Sequence, residues 1–453
     1  METNNAPGTA AGHDDYSLVR VPAEARRSWI SVAVQRFGQV SSFQQFMVGA
    51  VLGYGMTFWD AVLAITIGSV MLEAITILLG VAGVREGLST SVLARWAGFG
   101  RRGSALVGML VAVSLAGWFG VQNGVFAQGM HDLTGWSHEW VWAVLGGAAI
   151  TAVTTYGFQT MAWVGYLAVP AFLVLALVSI ADALRDHSLG ALVTSSPPGP
   201  HLSLGAGVTL VSGAFILGAI MTPDMTRFNR RPADVVKQTL ISVTLGEYLI
   251  GMIGVLLAHA ARTDDVVGIV TSSSGLLGTL VLATAILKIN DWNLYSSSLG
   301  LVNAIHVLTG RRVGRVPVTV VLGAAGTLLS AAGIVHRFTG FLTTIGVLAP
   351  PVAGIIIAEY FVVRTCRAPL RSGRDAGAAP PEPADWMPRA LVSWAAGTAA
   401  AVTGLGIATV TSVTVAFLVH AALGRLPGPR RTALVRDTAR RPSPVPSATP
   451  KGH

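Results

Sequence analysis

The feature that most constrains this chain is a stretch of 42 residues, Trp140 to Ala181, without a single Asp, Glu, Lys or Arg. As one continuous α-helix it would run roughly 63 Å at about 1.5 Å per residue, about twice the hydrocarbon thickness of a bilayer. Such a stretch has to enter lipid and turn back, and the turn is expected near Tyr156 to Thr160. Composition agrees: 52% of the 453 residues are hydrophobic and 12% are charged, where soluble proteins carry roughly 25% charged residues. The 52 glycines suit helices that approach one another closely. The fold class expected is an all-α polytopic membrane protein.

Charge-free stretches serve as a ruler for the other spans. They predict helices near 29–54, 58–83, 104–130, 139–157, 161–184, 204–222, 237–260, 275–308, 317–334 and 339–363. A last apolar block, Ala390 to Gly424, has Arg-rich flanks on both sides, so it is expected to cross twice and turn near Gly404 to Gly406. Arginines alternate from loop to loop as the positive-inside rule requires: Arg85, Arg95, Arg101 and Arg102, then Arg227, Arg230, Arg231 and Lys237, then Arg311, Arg312 and Arg315. The reading is twelve transmembrane helices in the cell inner membrane with both termini cytoplasmic. The Pro-, Ala- and Arg-rich tails, 1–28 and 425–453, are expected to be disordered.

The net charge of +9 reports this orientation and not nucleic-acid binding, because the basic residues sit between apolar segments. A single cysteine, Cys366, excludes an internal disulfide and a cysteine-based metal cluster. The polar first 28 residues, with Asp14, Asp15, Glu24, Arg26 and Arg27, do not read as a cleavable secretion signal. Gly98, Gly100 and Gly103 match a dinucleotide-loop spacing, but they lie in an Arg-rich loop between membrane helices and not in a βαβ unit. His131 and His138 read as solvated residues of an outer loop. No enzyme, cofactor, metal or obligate protein partner is indicated.

Two spans look interrupted. Gly38 to Gln45 places a polar cluster inside the first. Val211-Ser212-Gly213-Ala214-Phe215, followed by Gly218 and Thr222-Pro223-Asp224, marks the sixth. Kinked helices with small residues for packing are the alternative for each. Spans one and six, however, hold the same place in successive groups of five. Because five is odd, a second copy of the unit enters the membrane upside down, giving a five-plus-five inverted repeat of 29–184 and 204–363. Helices eleven and twelve follow at 389–424. Such repeats place the substrate between the two broken helices.

With these motifs in view the chain resembles the nucleobase:cation symporter-1 family, and within it the bacterial cytosine permeases. The carriers are Gly87-Leu88-Ser89-Thr90 with Leu93-Ala94-Arg95, Gly117-Trp118-Phe119-Gly120, Thr222 to Asp224 with Arg227-Phe228, Asn290-Asp291 with Leu294-Tyr295 and Leu299-Gly300, and Pro350-Pro351-Val352 with Ile355 to Tyr360. The resemblance runs from about Asp15 to Arg364 and implies a proton- or sodium-driven importer of nucleobases or related flat heterocycles that works by alternating access.

A nucleobase offers two π-faces and an edge of donors and acceptors, so its site needs an aromatic platform and amide groups. The resemblance puts Trp118 where the heterocycle stacks, Phe215 at a second aromatic position, and Asn290 at an asparagine that faces the ligand. Gln122, one turn beyond Trp118, lies on the same helix face. Interfacial anchoring for Trp118, packing for Phe215, and interhelical hydrogen bonding for Gln122 and Asn290 are the alternatives.

The chain also departs from the cytosine permeases, with Ala214 and Leu217 beside the helix-six aromatic in place of serines and Ser42 in place of a first-helix aromatic. Gly213 flanks the same site. These departures leave hydroxymethylpyrimidine, a hydantoin or allantoin as the alternative substrate. A further departure is Lys288, one of only three lysines, followed by Ile289. Sodium-coupled relatives carry hydroxyl residues at these two places, which complete a sodium site with first-helix carbonyls, here near Gly38 and Ser41. Sodium needs several oxygens and cannot share the volume with an ammonium. Lys288 is therefore expected to replace sodium and make transport proton-coupled or sodium-independent. Snorkelling, or a permanent pair with Glu247 or Glu73, is the other reading. Glu247 itself is either a proton carrier or that counter-ion. A non-transporting membrane sensor is the remote alternative.

Overall fold

A computed structural model describes residues 19–156, 158–375, 380 and 383–426, with side chains for these except 39, 156–169 and 271–274. Most of each tail expected to be disordered, 1–18 and 427–453, lies outside the described residues. Among the described residues the structure is helical, with no β-strand and one isolated bridge between Arg27 and Asn229.

The first span is two helices, α1 (Trp29–Val40) and α2 (Phe43–Gly55), as expected. Next come α3 (Phe58–Glu86), a short α4 (Thr90–Ala94) and a π-helical turn at Arg95–Phe99, which leads into the long α5 (Gly100–Thr134). Among the described residues no strand precedes Gly98, Gly100 and Gly103, in keeping with their place between helices. α6 (Glu139–Tyr156) ends and α7 (Phe158–Asp186) begins where the 42-residue stretch had to turn. A short α8 (Leu189–Thr194) then leads to α9 (Leu204–Ile220), α10 (Thr222–Thr226) and α11 (Pro232–Thr239). A π-turn at Leu240–Thr244 joins α11 to α12 (Leu245–Ala261). The chain continues with α13 (Val266–Thr309), α14 (Arg315–Ala331), α15 (Phe338–Leu348), α16 (Pro350–Ile357) and a π-turn at Ala358–Val363, and ends with α17 (Arg367–Asp375), α18 (Pro388–Val402) and α19 (Ala408–Arg425). Between the last two, Gly404 and Gly406 both take positive φ, which permits the reversal expected there.

Among the described residues six helical stretches are long and apolar enough to cross a membrane: Phe58–Glu86, Thr90–Thr134, Pro232–Ala261, Gly275–Thr309, Ile334–Val363 and Ala408–Arg425. Leu204–Ile220 and Arg315–Ala331 are apolar but shorter.

Two details correct the sequence reading. The sixth span is unbroken through Val211 to Phe215: α9 runs to Ile220, and the interruption falls at Met221 instead. Pro223 explains the position, since a proline lacks the N–H of a continuing helix and its ring meets the carbonyl four residues back. Gly213 serves contact instead of a break, as a Cβ there would lie 2.2 Å from the Leu342 carbonyl oxygen of α15. The tenth span, expected to be continuous, divides at Ala349 before Pro350-Pro351. The eighth span starts where expected, at Gly275 (φ 53°, ψ −140°), where the chain changes direction after a helical lead-in that begins at Val266.

The helices pack in two groups. α12 runs along α2, α9 along α3, and α1 rests on α11 and the Leu240–Thr244 turn; in the other group α13 lies along α5, and α14 packs on α5 and α6. Glycine lets α2 and α12 meet backbone to backbone. A Cβ at Gly49 would fall 2.1 Å from the Gly251 carbonyl oxygen, and one at Gly254 2.5 Å from that of Phe46. α18 and α19 attach through Glu359 of the tenth span, whose Oε2 accepts from Arg389 at 2.8 Å and lies 3.1 Å from His420 Nε2.

Candidate substrate and coupling site

The site begins at the gap between α1 and α2. The Ser41 N–H donates to the Phe37 carbonyl at 2.7 Å and the Ser42 N–H to that of Val40 at 2.8 Å, so the chain turns off one helix. Ser42 is extended (φ −120°, ψ 164°), and its carbonyl accepts from the Gln45 N–H at 3.0 Å to start the next helix. Ser42 and Gln44 are half-buried, whereas Ser41 and Gln45 are buried with Ser41 Oγ and Gln45 Nε2 unpartnered among the described residues. The Gln44 amide donates to the Ala214 carbonyl of α9, tying the gap to the middle of the sixth span.

On α5, Trp118 is buried and edge-on to two rings of α15: Phe341 with centroids 5.4 Å apart and Phe338 at 5.9 Å. The same α15 supplies the Leu342 carbonyl against Gly213, so it touches both Trp118 of α5 and α9. Phe215, buried on α9, has the guanidinium carbon of Arg36 5.1 Å from its ring centroid.

One turn beyond Trp118, Gln122 Oε1 accepts from Asn293 Nδ2 at 3.2 Å, the same amide donates to Asn290 Oδ1 at 3.2 Å, and Asn290 Nδ2 donates to the Phe119 carbonyl at 3.3 Å. Gln122, Asn290 and Asn293 thus form one buried amide chain between α5 and α13. It is at once interhelical bonding and a row of amide groups beside an indole, with lone pairs and N–H groups to spare.

The expected coupling residues separate into two places. Lys288 is half-buried on α13 and among the described residues has no carboxylate within ion-pair distance; the charge that acts on it is that of Asp291. Asp291 accepts from Thr154 Oγ1 of α6 at 2.7 Å, and Arg315 of α14 donates to the Thr154 carbonyl at 3.2 Å. Glu247 is completely buried on α12, where Ser69 of α3 donates to it and Arg36 and Glu73 act on it by charge. The structure does not bring Lys288 to Glu247 or Glu73: Lys288 is on α13 of one helix group, and Glu247 and Glu73 are on α12 and α3 of the other. Of the remaining positions, Gly38 and Ile289 are half-buried, and Ser41 Oγ lies against α12, 3.2 Å from where a Cβ of Gly246 would be.

Sequence reasoning passed over Arg36, Asn293, Phe338, Phe341 and Ser69. An arginine about two turns inside a largely apolar first span was a visible signal for Arg36, and the three-residue step from Asn290 was one for Asn293. Nothing local marks Phe341 as a neighbour of Trp118. His131 is half-buried and His138 exposed, and with His336 and Glu139 they line a cavity of about 420 Å³ beside Gly124 and Ser330.

A family model described as permease for cytosine/purines, uracil, thiamine and allantoin matches residues 20–424. The cytosine permease of Escherichia coli strain K12 is 31% identical over 353 residues, covering 78% of this chain and 82% of that protein. The hydantoin permease of Microbacterium maritypicum is 24% identical over 368 residues, 76% of this chain and 73% of the relative. The allantoin permease of Bacillus subtilis strain 168 is 25% identical over 361 residues, 70% and 71% of the two chains. Among solved structures, the inward-facing conformation of Mhp1 superposes with a TM-score of 0.76 at 20% identity over 90% of this chain and 93% of that one. A closed conformation of the same transporter with bromovinylhydantoin bound gives 0.71 at 21% identity, over 90% and 94%. The shared architecture is that transporter fold.

Proposed function

The chain belongs to the family of permeases for cytosine and purines, uracil, thiamine and allantoin, and we propose that it imports a cytosine-like nucleobase by alternating access, independently of sodium. The observation that carries the substrate class is the buried chain Gln122–Asn293–Asn290 one turn from Trp118. A flat ring stacked on the indole turns its edge to amides that both donate and accept. In this reading Phe215, Ser42 and the Gly213-Ala214 backbone border the same space, and the Gln44 amide ties the α1–α2 gap to the Ala214 carbonyl.

In this reading the chain crosses the inner membrane twelve times with both ends in the cytoplasm, and the two five-helix units, 29–184 and 204–363, are inverted copies. The small heterocycle and the coupling ion are its partners, and no cofactor takes part. Lys288 and Ile289 at the sodium-site positions favour proton coupling, because an ammonium and a side chain without oxygen cannot complete an oxygen cage. Ala214 and Leu217, where the cytosine permeases have serines, favour a second substrate reading: hydroxymethylpyrimidine, a hydantoin or allantoin.

The test is uptake of labelled cytosine and a panel of these heterocycles into proteoliposomes, with an inward proton gradient in one set and an inward sodium gradient in the other. Proton-driven, sodium-indifferent uptake of one ring supports the reading. Sodium-driven uptake removes the role given to Lys288 and leaves the substrate class intact. A Lys288→Ala transporter with unchanged ion dependence also removes that role.

A further inference from the structure

Arg36 is the eighth residue of α1 and only 2% exposed. Its Nη2 hydrogen bonds Thr222 Oγ1 at 3.0 Å, at the break between α9 and α10, and Thr76 Oγ1 of α3 at 3.3 Å. Nη1 approaches Met225 Sδ at 3.9 Å, and the guanidinium lies over the Phe215 ring. All of these partners are neutral. A guanidinium does not lose its proton, and a buried charge is costly without a counter-charge. Among the described residues that counter-charge is Glu247 on α12.

Glu247 is as buried as Arg36. One carboxylate oxygen takes the Ser69 hydroxyl, and the other, Oε1, has no hydrogen-bond partner among the described residues. One turn along α3 from Ser69 lies Glu73, half-buried, which accepts from the Thr244 hydroxyl three residues before Glu247. Two hydroxyl-to-carboxylate bonds therefore cross between α3 and the seventh span in opposite senses, and they bring an accessible carboxylate close to a buried one. The charged groups acting on Glu247 are Glu73 of α3 and Arg36 of α1. α2 offers the uncharged Gln45, and Lys288 and Asp291 of α13 do not act on Glu247.

We propose that Glu247 is the proton-binding site of the transport cycle, loaded by way of Glu73, and that its charge governs the hold of Arg36 on the inner half of α1. The inference rests on the reading of the chain as a transporter. As a carboxylate, Glu247 compensates the guanidinium, which then ties α1 to Thr76, Phe215 and Thr222. When a proton adds to Oε1, the carboxyl becomes neutral and the guanidinium is left with neutral partners in a low-dielectric setting. The hold weakens, and the segment Trp29–Val40 is free to turn about the non-helical Ser41–Ser42 joint. Loss of the proton to the cytoplasmic side restores the pair. The device lies inside one helix group, while Lys288 lies in the other.

The test combines two measurements on the full-length protein in lipid. Infrared pH titration of the wild type is expected to show a protonating carboxyl band that is missing in Glu247→Gln and whose midpoint moves in Ser69→Ala. In proteoliposomes, Glu247→Gln is expected to keep exchange of labelled cytosine across the membrane and to lose accumulation driven by a proton gradient. Glu73→Gln, with Glu247 in place, slows that accumulation without abolishing it. A Glu247→Gln protein that still accumulates substrate at the wild-type rate overturns the proposal, and so does a titrating band that survives the substitution. If the wild type moves no heterocycle at all, the transporter reading fails, and the infrared band still decides whether Glu247 takes up a proton.

Discussion

The guanidinium of Arg36 lies over the ring of Phe215, 5.1 Å from its centroid, so α1 of the first span and the aromatic of the sixth touch. One face of that ring is therefore occupied by the protein, and the ring has at most its other face and its edge for a ligand. A cation over a buried ring contributes about 0.5–2 kcal/mol, and a stacked base about 1–3 kcal/mol. Phe215→Leu removes both interactions. It is expected to weaken heterocycle binding by about tenfold and to lower thermal stability in detergent, whereas Phe215→Tyr retains both. Ligand binding and thermal unfolding of the two variants check this, and unchanged affinity in Phe215→Leu removes Phe215 from the substrate site.

Asn293 is the middle of the amide chain, and its Nδ2 serves both Gln122 and Asn290. Asn293→Ala leaves two buried acceptors without their donor, a cost of about 1–3 kcal/mol. Reduced thermal stability is expected together with a loss of affinity, because Gln122 and Asn290 lose the bonds that orient them. Trp118→Ala, by contrast, is expected to reduce affinity through lost stacking while the amide chain stays in place. A double-variant cycle between positions 293 and 122 measures the coupling, and additive effects show that the chain does not act as a unit.

The contact between α2 and α12 has no room for a side chain. A Cβ at Gly49 would lie 2.1 Å from the backbone oxygen of Gly251, while one at Gly340 would meet nothing within 4 Å. Gly49→Ala forces two backbones apart and is expected to cost about 1–3 kcal/mol or more, read as loss of folded protein after detergent extraction. Gly340→Ala is expected to behave as wild type. Equal yields of the two would show that this helix pair is looser than its geometry indicates.

The exposed Asp385 receives Arg101 Nε at 2.8 Å and has Arg102 Nε at 3.3 Å, joining the start of α5 to the segment before α18. The hydrogen bond from Arg101, with the charge of both arginines, holds the Asp385 carboxyl below its ordinary value of 3.8. A depressed carboxyl contributes stability that is present above the unfolded value and is lost as pH falls through the folded one. Asp385→Asn is therefore expected to be slightly less stable than wild type at neutral pH, and the difference is expected to vanish on acidification below the folded value. Thermal unfolding across that range checks the sign; a difference that persists in acid would show that the link does not depend on the carboxylate.

The parts of the site that were legible in the sequence are those set by a single helix. The gap at Ser41–Ser42 follows from a polar cluster in an apolar span, and Gln122 shares a face with Trp118 because they are one turn apart. The position of the sixth-span interruption was not legible in this way. A small-residue run such as Ser212-Gly213-Ala214 suits a break and a close contact equally well, and only the Leu342 carbonyl of α15 against Gly213 makes it a contact.

By itself the sequence determined the membrane class, the places where the chain must turn, and the residue types held inside, because the bilayer limits the length of a charge-free helix and the cost of a buried charge. The tertiary structure alone decided which charges meet. Pairing with Glu247 or Glu73 was one of the readings open for Lys288, yet the charge acting on Lys288 is that of Asp291, one turn along its own α13, and the packing of α12 on α2 and α3 puts Glu247 beside Ser69 and under the charge of Arg36. Hydropathy along one helix records that a group is buried, whereas its partner depends on how neighbouring helices are rotated and how closely their small residues let them approach.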